Sequence, residues 1–87
     1  MPTSLQLTLH RQWFNDILSG QKTIEYREIK PHWTKRIAGR QYDEIHFRNG
    51  YQPQSPWMRV QYRGYFMCNN LFCLRLGKIL ETKYLHN

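Results

Sequence analysis

The sequence predicts a small α+β fold, in which about five strands curl into a mixed β-barrel and two short helices close its ends. Apolar and polar residues alternate along several segments, as they do in half-buried strands. Two other segments space their apolar residues as a helix does. At 87 residues the chain is expected to form a single domain, and a curled sheet buries so small a core best.

The first strand and the first helix are predicted from a change of period near residue 10. Leucines at positions 5, 7 and 9 alternate with polar residues and define the strand. From residue 11 the apolar spacing is helical, and the stripe is expected to lie in the core: Trp13, Phe14, Ile17 and Leu18. A ligand role for Trp13 or Phe14 is the less favoured interpretation. Gly20 then ends the helix as a left-handed cap.

The second strand is expected over residues 22–29. Its alternation places Ile24 and Tyr26 on one face and Glu25 and Arg27 on the other. Because proline disfavours strand continuation, Pro31 ends this strand.

The same proline suits the first turn of a second helix, which is expected to reach about residue 38. Trp33 and Ile37 are four apart and should face inward, whereas Lys35 and Arg36 extend a basic surface.

The second half of the chain is predicted to form three strands, over residues 42–49, 57–67 and 72–80. In the first of these, His46 and Arg48 share the polar side. Asn49-Gly50 is a turn signal, and Gly64 indicates a bulge or a bend. The last residues, 82–87, are expected to fray, which leaves a core of about residues 5–81 within a single 1–87 domain.

Composition narrows the class of partner. The net charge of +7 and the pI of about 9.8 favour a polyanionic partner such as RNA. The positive charge attracts a polyanion at long range, and binding releases counterions from it. The sequence has neither an apolar run of the ~18 residues that a membrane helix needs nor a signal peptide, so a cytoplasmic protein is expected. Cys68 and Cys73 do not make a zinc site, and we predict no metal or cofactor; reduced thiols are favoured over one disulfide.

The candidate catalytic residues stand in one short stretch, Gly20-x-Lys22-x-x-Glu25-x-Arg27. Glu25 and Arg27 share a strand face, and Lys22 precedes them at a turn, so the three should converge. Arg27 could orient a phosphate or base edge, Glu25 could accept from a base amine or activate water, and Lys22 could neutralise a phosphate or act as a base. A purely structural Glu25–Arg27 salt bridge is the alternative.

A second set of residues is predicted to contact RNA or a nucleotide-like ligand. Cations would bind phosphates, and aromatic rings would stack on bases. The set comprises Lys30, Trp33, Lys35, Arg36, His46, Arg48, Asn49 and Tyr51. For Trp33 core packing is the competing interpretation, and Arg48 could instead pair with Glu44. His10 and His46 lie on polar strand faces, where surface residues are commoner than catalytic bases.

The motif at residues 20–27, placed after a strand and a helix, resembles the signature of the ASCH domain, a relative of the PUA domain. The similarity is to the compact forms from bacteria and phages. Segments 9–14, 26–33, 47–51 and 74–80 also resemble that family in order, so the resemblance covers about residues 5–81. It implies a PUA-like mixed β-barrel with an RNA-binding cleft beside the first helix.

Some ASCH relatives are enzymes: one branch deacetylates acetylated cytidine, and another has been described as a ribonuclease. In the deacetylating branch the lysine matched by Lys22 works with a threonine and with a downstream glutamate. Here Glu25 occupies the threonine position. The only carboxylates between Glu28 and Glu81 are Asp43 and Glu44, and neither is an obvious match for the downstream glutamate. The connection after Gly64 is also shorter than the resemblance implies.

The leading hypothesis is therefore an ASCH module that binds RNA or a modified nucleoside through a basic cleft. A small hydrolase, either a ribonuclease or an acetylated-cytidine amidohydrolase, is the alternative, with Lys22 and Glu25 in its site. A second alternative is a phage or host protein-interaction module, such as an anti-defence protein.

Overall fold

The computed structural model describes residues 3–85 and confirms the predicted fold class, a curled sheet of five strands with two short helices. The elements, in chain order, are β1 (Ser4–Thr8), α1 (Arg11–Leu18), β2 (Ile24–Glu28), α2 (Pro31–Ile37), β3 (Glu44–Arg48), β4 (Trp57–Cys68) and β5 (Leu71–Lys83). Neither helix in this part of the chain is long and apolar enough to cross a bilayer.

The five strands form one mixed sheet in the order β1-β3-β4-β5-β2. The β1–β3 pair is parallel and the other pairs are antiparallel. The connections from β1 to β2 and from β2 to β3 each cross the sheet. Its two edges are therefore β1 and β2, the first two strands of the sequence. The sheet curls into a half-barrel, so these edges face a common gap.

The core lies on the inner face of the curled sheet. Alternate residues of four strands point inward, as the period-two pattern predicts, and the most buried are Leu5, Leu7, Ile45, Phe47, Met58, Val60, Phe72 and Leu74. The helices close this core with Phe14, Ile17 and Ile37. Burying each such side chain stabilises the fold by about 1.5–3 kcal/mol relative to exposure.

Strand β2 alternates as predicted, but its charged face is the inner one. Glu25 is 5% exposed, whereas Tyr26 is 49% exposed. The register explains this orientation, because Glu25 lies opposite Leu74 and Arg27 opposite Phe72 in β5, and residues paired across an antiparallel ladder share a face. Leu74 and Phe72 point into the core, so the carboxylate and the guanidinium do so as well.

We call the gap between the two sheet edges the seam, and side chains bridge it. Carbonyls of β1 accept hydrogen bonds across it: Arg27 Nη2 donates to Thr8 O at 3.3 Å, and Arg36 Nη2 donates to Gln6 O at 3.1 Å. Both guanidiniums lie over the ring of Trp33, whose centroid is 4.9 Å from Arg27 Cζ and 5.3 Å from Arg36 Cζ. This Arg27–Trp33–Arg36 stack occupies the place where a strand ladder would close a full barrel.

The long β4–β5 hairpin turns on two residues with positive φ, Asn69 (50°) and Asn70 (60°), as a type I′ turn requires. The predicted bulge at Gly64 is confirmed, since its φ is 91° and the register shifts between Tyr62 and Tyr65. Strand β5 runs to Lys83, two residues past the expected end of the core, where Lys83 pairs with Trp57. The rest of the expected frayed end includes residues 86–87, which lie outside the described residues.

Cys68 and Cys73 are free thiols. Cys68 is exposed at the hairpin, and Cys73 is buried on β5. Burial, with smaller effects from the neighbouring Cys68, raises the pKa of the Cys73 thiol. A neutral buried thiol behaves as a small apolar residue, which agrees with the favoured expectation of reduced cysteines.

The outer face of the sheet carries a polar network centred on Glu44, which is only 6% exposed. Its Oε1 lies 2.9 Å from His46 Nε2, and its Oε2 accepts from Arg59 Nη1 at 2.8 Å. Arg59 Nε also donates to Glu81 Oε1 at 3.2 Å. The hydrogen bond with His46, together with that from Arg59, lowers the pKa of Glu44 against the opposing effect of burial.

This lowered pKa predicts a pH-dependent contribution of Glu44 to stability. A carboxylate with a lowered pKa in the folded state stabilises the fold above the unfolded-state pKa, near 4.5, and loses that effect as the pH falls through the folded value. We expect Glu44→Gln to reduce the free energy of unfolding, measured with urea, at about pH 7, and the deficit relative to the parent protein to shrink at about pH 3. An equal deficit at both pH values would contradict this assignment.

Candidate ligand-binding site

A cavity of about 680 Å³ opens at one end of the seam, and we call it the seam cavity. Three segments of the chain line it. They are the β1–α1 junction (Thr8, Leu9, His10, Arg11, Trp13), β2 with the preceding turn (Lys22, Glu25, Tyr26, Arg27), and the turn after β3 (Asn49, Gly50, Tyr51). A volume of this order suits a small ligand or a single nucleotide.

Glu25 is the centre of the charged wall of this cavity. Its Oε1 lies 3.4 Å from Lys22 Nζ, and its Oε2 accepts from Arg27 Nη2 at 2.7 Å and from Arg27 Nε at 3.1 Å. The side chain of Glu25 is 7% exposed, against 15% for Lys22 and 16% for Arg27. The structure therefore brings the three candidate catalytic residues together as one Lys22–Glu25–Arg27 triad.

The local sequence explains how the triad forms. Gly20 adopts φ of 86°, which only glycine takes without strain, and ends α1. The chain then turns back, and Lys22 N donates to Asp16 O at 3.0 Å. This turn places Lys22 just before β2, where the strand period carries Glu25 and Arg27 onto one face.

Two aromatic rings flank the lysine. Lys22 Nζ lies 5.3 Å from the centroid of Trp13 and 4.8 Å from that of Tyr26, within the range of cation–π attraction. The prediction that Trp13 lies in the core is wrong, because this side chain is 44% exposed. Phe14 and Ile17, three apart, face the core, and Trp13 lies about 100° around the helix from Phe14, so it points to the cavity instead.

The third wall is built by the turn after β3. Asn49 Nδ2 donates to Leu9 O at 2.9 Å and so ties this turn to the end of β1. Gly50 adopts φ of 122°, and a Cβ there would lie 2.7 Å from Ser55 Oγ, so a larger residue would distort the turn. Tyr51 follows on the rim and is 89% exposed, which leaves both faces of its ring open to a ligand.

The candidate residues of the α2 segment lie outside the cavity lining. Trp33 and Arg36 belong to the stack that bridges the seam. Lys30 and Glu28 are exposed and their charged groups lie 3.4 Å apart. Lys35 is exposed on α2, and its carbonyl accepts from Arg40 Nε. The structure therefore gives Arg36 and Trp33 a role in closing the sheet and leaves two lysines in solvent.

The two candidates on β3 point to the outer face. His46 lies in the Glu44 network, with Nδ1 3.1 Å from Gln6 Nε2. Arg48 Nη1 donates to Pro53 O at 3.4 Å, and so braces the loop after β3. The alternative pairing of Arg48 with Glu44 is wrong, because His46 and Arg59 hold that carboxylate.

Sequence reasoning missed much of the first wall: Thr8, Leu9, His10 and Arg11 were not proposed as ligand contacts. Their common feature is position, because they span the point where the apolar period changes from strand to helix. His10 adopts an extended conformation at the start of α1, which turns the chain along the cavity. The change from strand to helical spacing near residue 10 could have identified these residues. Where a strand ends beside the start of a helix, the connecting loop lies on the rim of the sheet.

No protein-family model, curated protein or solved structure matches this chain. The similarity to ASCH domains therefore rests on the residues of the motif and the order of the flanking segments.

The chemistry of the seam cavity is that of a cationic, hydrogen-bonding pocket with aromatic walls. Two cations and one carboxylate leave the triad with a net positive charge, and His10 and Arg11 lie on the same rim. Arg27 is already committed to Glu25, to Thr8 O and to the ring of Trp33. Lys22 contacts one carboxylate oxygen, so it is the cation of the triad with donors to spare for a ligand.

A comparison of two glutamates on β2 tests how much the triad stabilises the fold. Glu25→Gln removes a buried carboxylate from between two cations, and we expect it to lower the free energy of unfolding by about 3 kcal/mol. Glu28→Gln removes an exposed partner of Lys30, and a loss below about 0.5 kcal/mol is expected. Urea unfolding of both variants checks this difference, and similar losses in the two would mean that the triad does not hold β2 in place.

Proposed function

We propose that the chain is an ASCH-type, PUA-like module that binds single-stranded RNA or a modified nucleoside in the seam cavity. The observation that carries the proposal is the convergence of Lys22, Glu25 and Arg27 on one wall of a cavity that also has aromatic walls. Cations bind phosphates and aromatic rings stack on bases, which is the usual combination for single strands.

Each wall has a defined part in this proposal. Lys22 binds a phosphate or a base acceptor, while Glu25 accepts from an exocyclic amine through the one lone pair of Oε1 that Lys22 leaves free. Tyr51 is exposed on the rim and stacks on a base. Arg27 acts mainly by holding Glu25 in place. The net charge of +7 supplies the long-range attraction to the polyanion.

The contacts of the Glu25 carboxylate favour binding over hydrolysis. A general base needs a carboxylate that is free to take a proton from water. Glu25 is the one carboxylate among the described lining residues, and both of its oxygens contact cations. This arrangement suits a hydrogen-bond acceptor, and it does not favour the ribonuclease or the acetylated-cytidine amidohydrolase.

Fluorescence anisotropy with a labelled single-stranded RNA tests the proposal directly. We expect binding that weakens steeply as salt rises, with a log–log slope of about −0.7 for each phosphate contact. Incubating the same protein with the labelled RNA and with acetylated cytidine should leave both intact. Turnover that Lys22→Ala abolishes would replace the binding proposal with the hydrolase, and the absence of salt-dependent binding would favour a protein-interaction module.

Two variants locate the bound RNA on the protein, and a third controls for the loss of one positive charge. Lys22→Ala and Tyr51→Ala should each weaken RNA binding about tenfold, the effect of one lost phosphate contact or one lost stack. Lys78→Ala removes the same charge from an exposed position on β5 outside the cavity, and it should change affinity less than about twofold. Equal losses in Lys22→Ala and Lys78→Ala would mean that the attraction is diffuse and that the seam cavity is not the site.

A further inference from the structure

A row of side chains crosses the outer face of β2, β5 and β4, next to the seam cavity. Tyr26 lies opposite Cys73, and Cys73 lies opposite Phe66. Because Phe72 and Leu74 point into the core, Cys73 between them faces outward, and residues paired across an antiparallel ladder share its face. The two aromatic rings therefore flank the Cys73 thiol on the outer face, about 10 Å apart across two strand spacings.

Two arginines stand beside this row. Arg75 is exposed, and its Cζ lies 4.8 Å from the ring centroid of Phe66. Arg63 is exposed on the same face, since its Cδ lies 3.1 Å from where a Cβ would stand on Gly77, two residues after Arg75. Neither arginine forms an ion pair within the described part of the chain. We call the side chains of Tyr26, Phe66, Arg63 and Arg75 the outer track.

A small hollow of about 280 Å³ connects the outer track to the seam cavity. It shares three lining residues with the seam cavity, Trp13, Lys22 and Tyr26. Ile24 also lines the hollow, and it lies opposite Arg75 in the ladder between β2 and β5. A ligand that occupies the seam cavity can therefore extend past Lys22 to the outer track along one continuous surface.

The combination of rings and cations indicates the kind of ligand. Single-stranded RNA is bound on sheet surfaces by aromatic side chains that stack on its bases, and bases also stack on guanidinium planes. Positive charge alone would suit any anion, whereas exposed rings between the cations favour a chain of planar bases joined by phosphates. Asp16 in the connecting hollow adds a hydrogen-bond acceptor that suits a base amine.

We propose that the outer track binds single-stranded RNA as a continuation of the seam cavity, so that the ligand is a strand of several nucleotides and not a free nucleoside. One nucleotide occupies the seam cavity and the strand passes Lys22. The next bases stack on Tyr26 and on the Phe66–Arg75 pair, with a phosphate on Arg63. The inference rests on the proposed function, because both surfaces hold the same strand.

Two ligands of different length test this continuation. Cytidine monophosphate is followed by NMR titration, and a labelled single-stranded RNA of about ten nucleotides by fluorescence anisotropy. Phe66→Ala and Arg75→Gln should each weaken binding of the RNA about tenfold, the effect of one lost stack or one lost cation. Both variants should bind the mononucleotide within about twofold of the parent protein, because it occupies the seam cavity alone.

Two further variants are controls. Phe66→Tyr keeps the ring and should bind the RNA as the parent protein does. Lys35→Gln removes one positive charge from an exposed position on α2, a helix that packs on the core through Ile37, and it should lower RNA affinity less than about twofold. Equal losses in Lys35→Gln and Arg75→Gln would overturn the outer track, because the attraction would then be diffuse.

The Lys22→Ala variant separates failure of this inference from failure of the proposed function. If Lys22→Ala weakens RNA binding but Phe66→Ala and Arg75→Gln do not, the outer track is overturned and the seam cavity remains the site. If the two outer-track variants weaken binding but Lys22→Ala does not, the proposed function is overturned, and the continuity of the two surfaces with it.

Discussion

The buried carboxylate of Glu25 is the interaction on which both the seam and its cavity depend. It fixes the guanidinium of Arg27 through two hydrogen bonds. Arg27 in turn reaches across to Thr8 O and stacks on Trp33, whose other neighbour, Arg36, holds Gln6 O. The side chain of Glu25 on the edge strand β2 thus organises the contacts that join the two edges of the sheet, β1 and β2.

This way of closing a sheet has a cost and a consequence. A ladder of backbone hydrogen bonds would seal the edges, whereas buried charges must recover a large desolvation energy through good geometry. The side-chain closure leaves room between the edges, and the seam cavity occupies that room. In our proposal the same ions that close the fold also present its binding surface, so stability and ligand affinity are coupled through Glu25.

The sequence predicted the elements well because their periods are clear. The leucines at 5, 7 and 9 and the stripe after residue 11 place β1 and α1 to within a residue, and Gly20 ends the helix as expected. The convergence of Lys22, Glu25 and Arg27 also followed from spacing alone, since a strand carries alternate residues to one face. These are local properties, which a sequence records directly.

The remaining features depend on contacts between distant segments. Alternation assigned His46 and Arg48 to the polar side of β3, but only the sheet order shows that this side faces away from the seam cavity. The inward orientation of the charged face of β2 follows from its register with Leu74 and Phe72. Trp13 was misplaced because a short helix has room for few core residues, and Phe14 and Ile17 fill that side.

A crystal structure of the chain with cytidine monophosphate is the decisive test of the seam cavity as a binding site, because it locates the ligand relative to the triad. We expect the nucleotide in the seam cavity, with an oxygen or ring acceptor within hydrogen-bond distance of Lys22 Nζ and the base against Tyr51 or Trp13. A nucleotide bound instead on the outer face beside His46 and Arg48, with the seam cavity unoccupied, would refute this assignment.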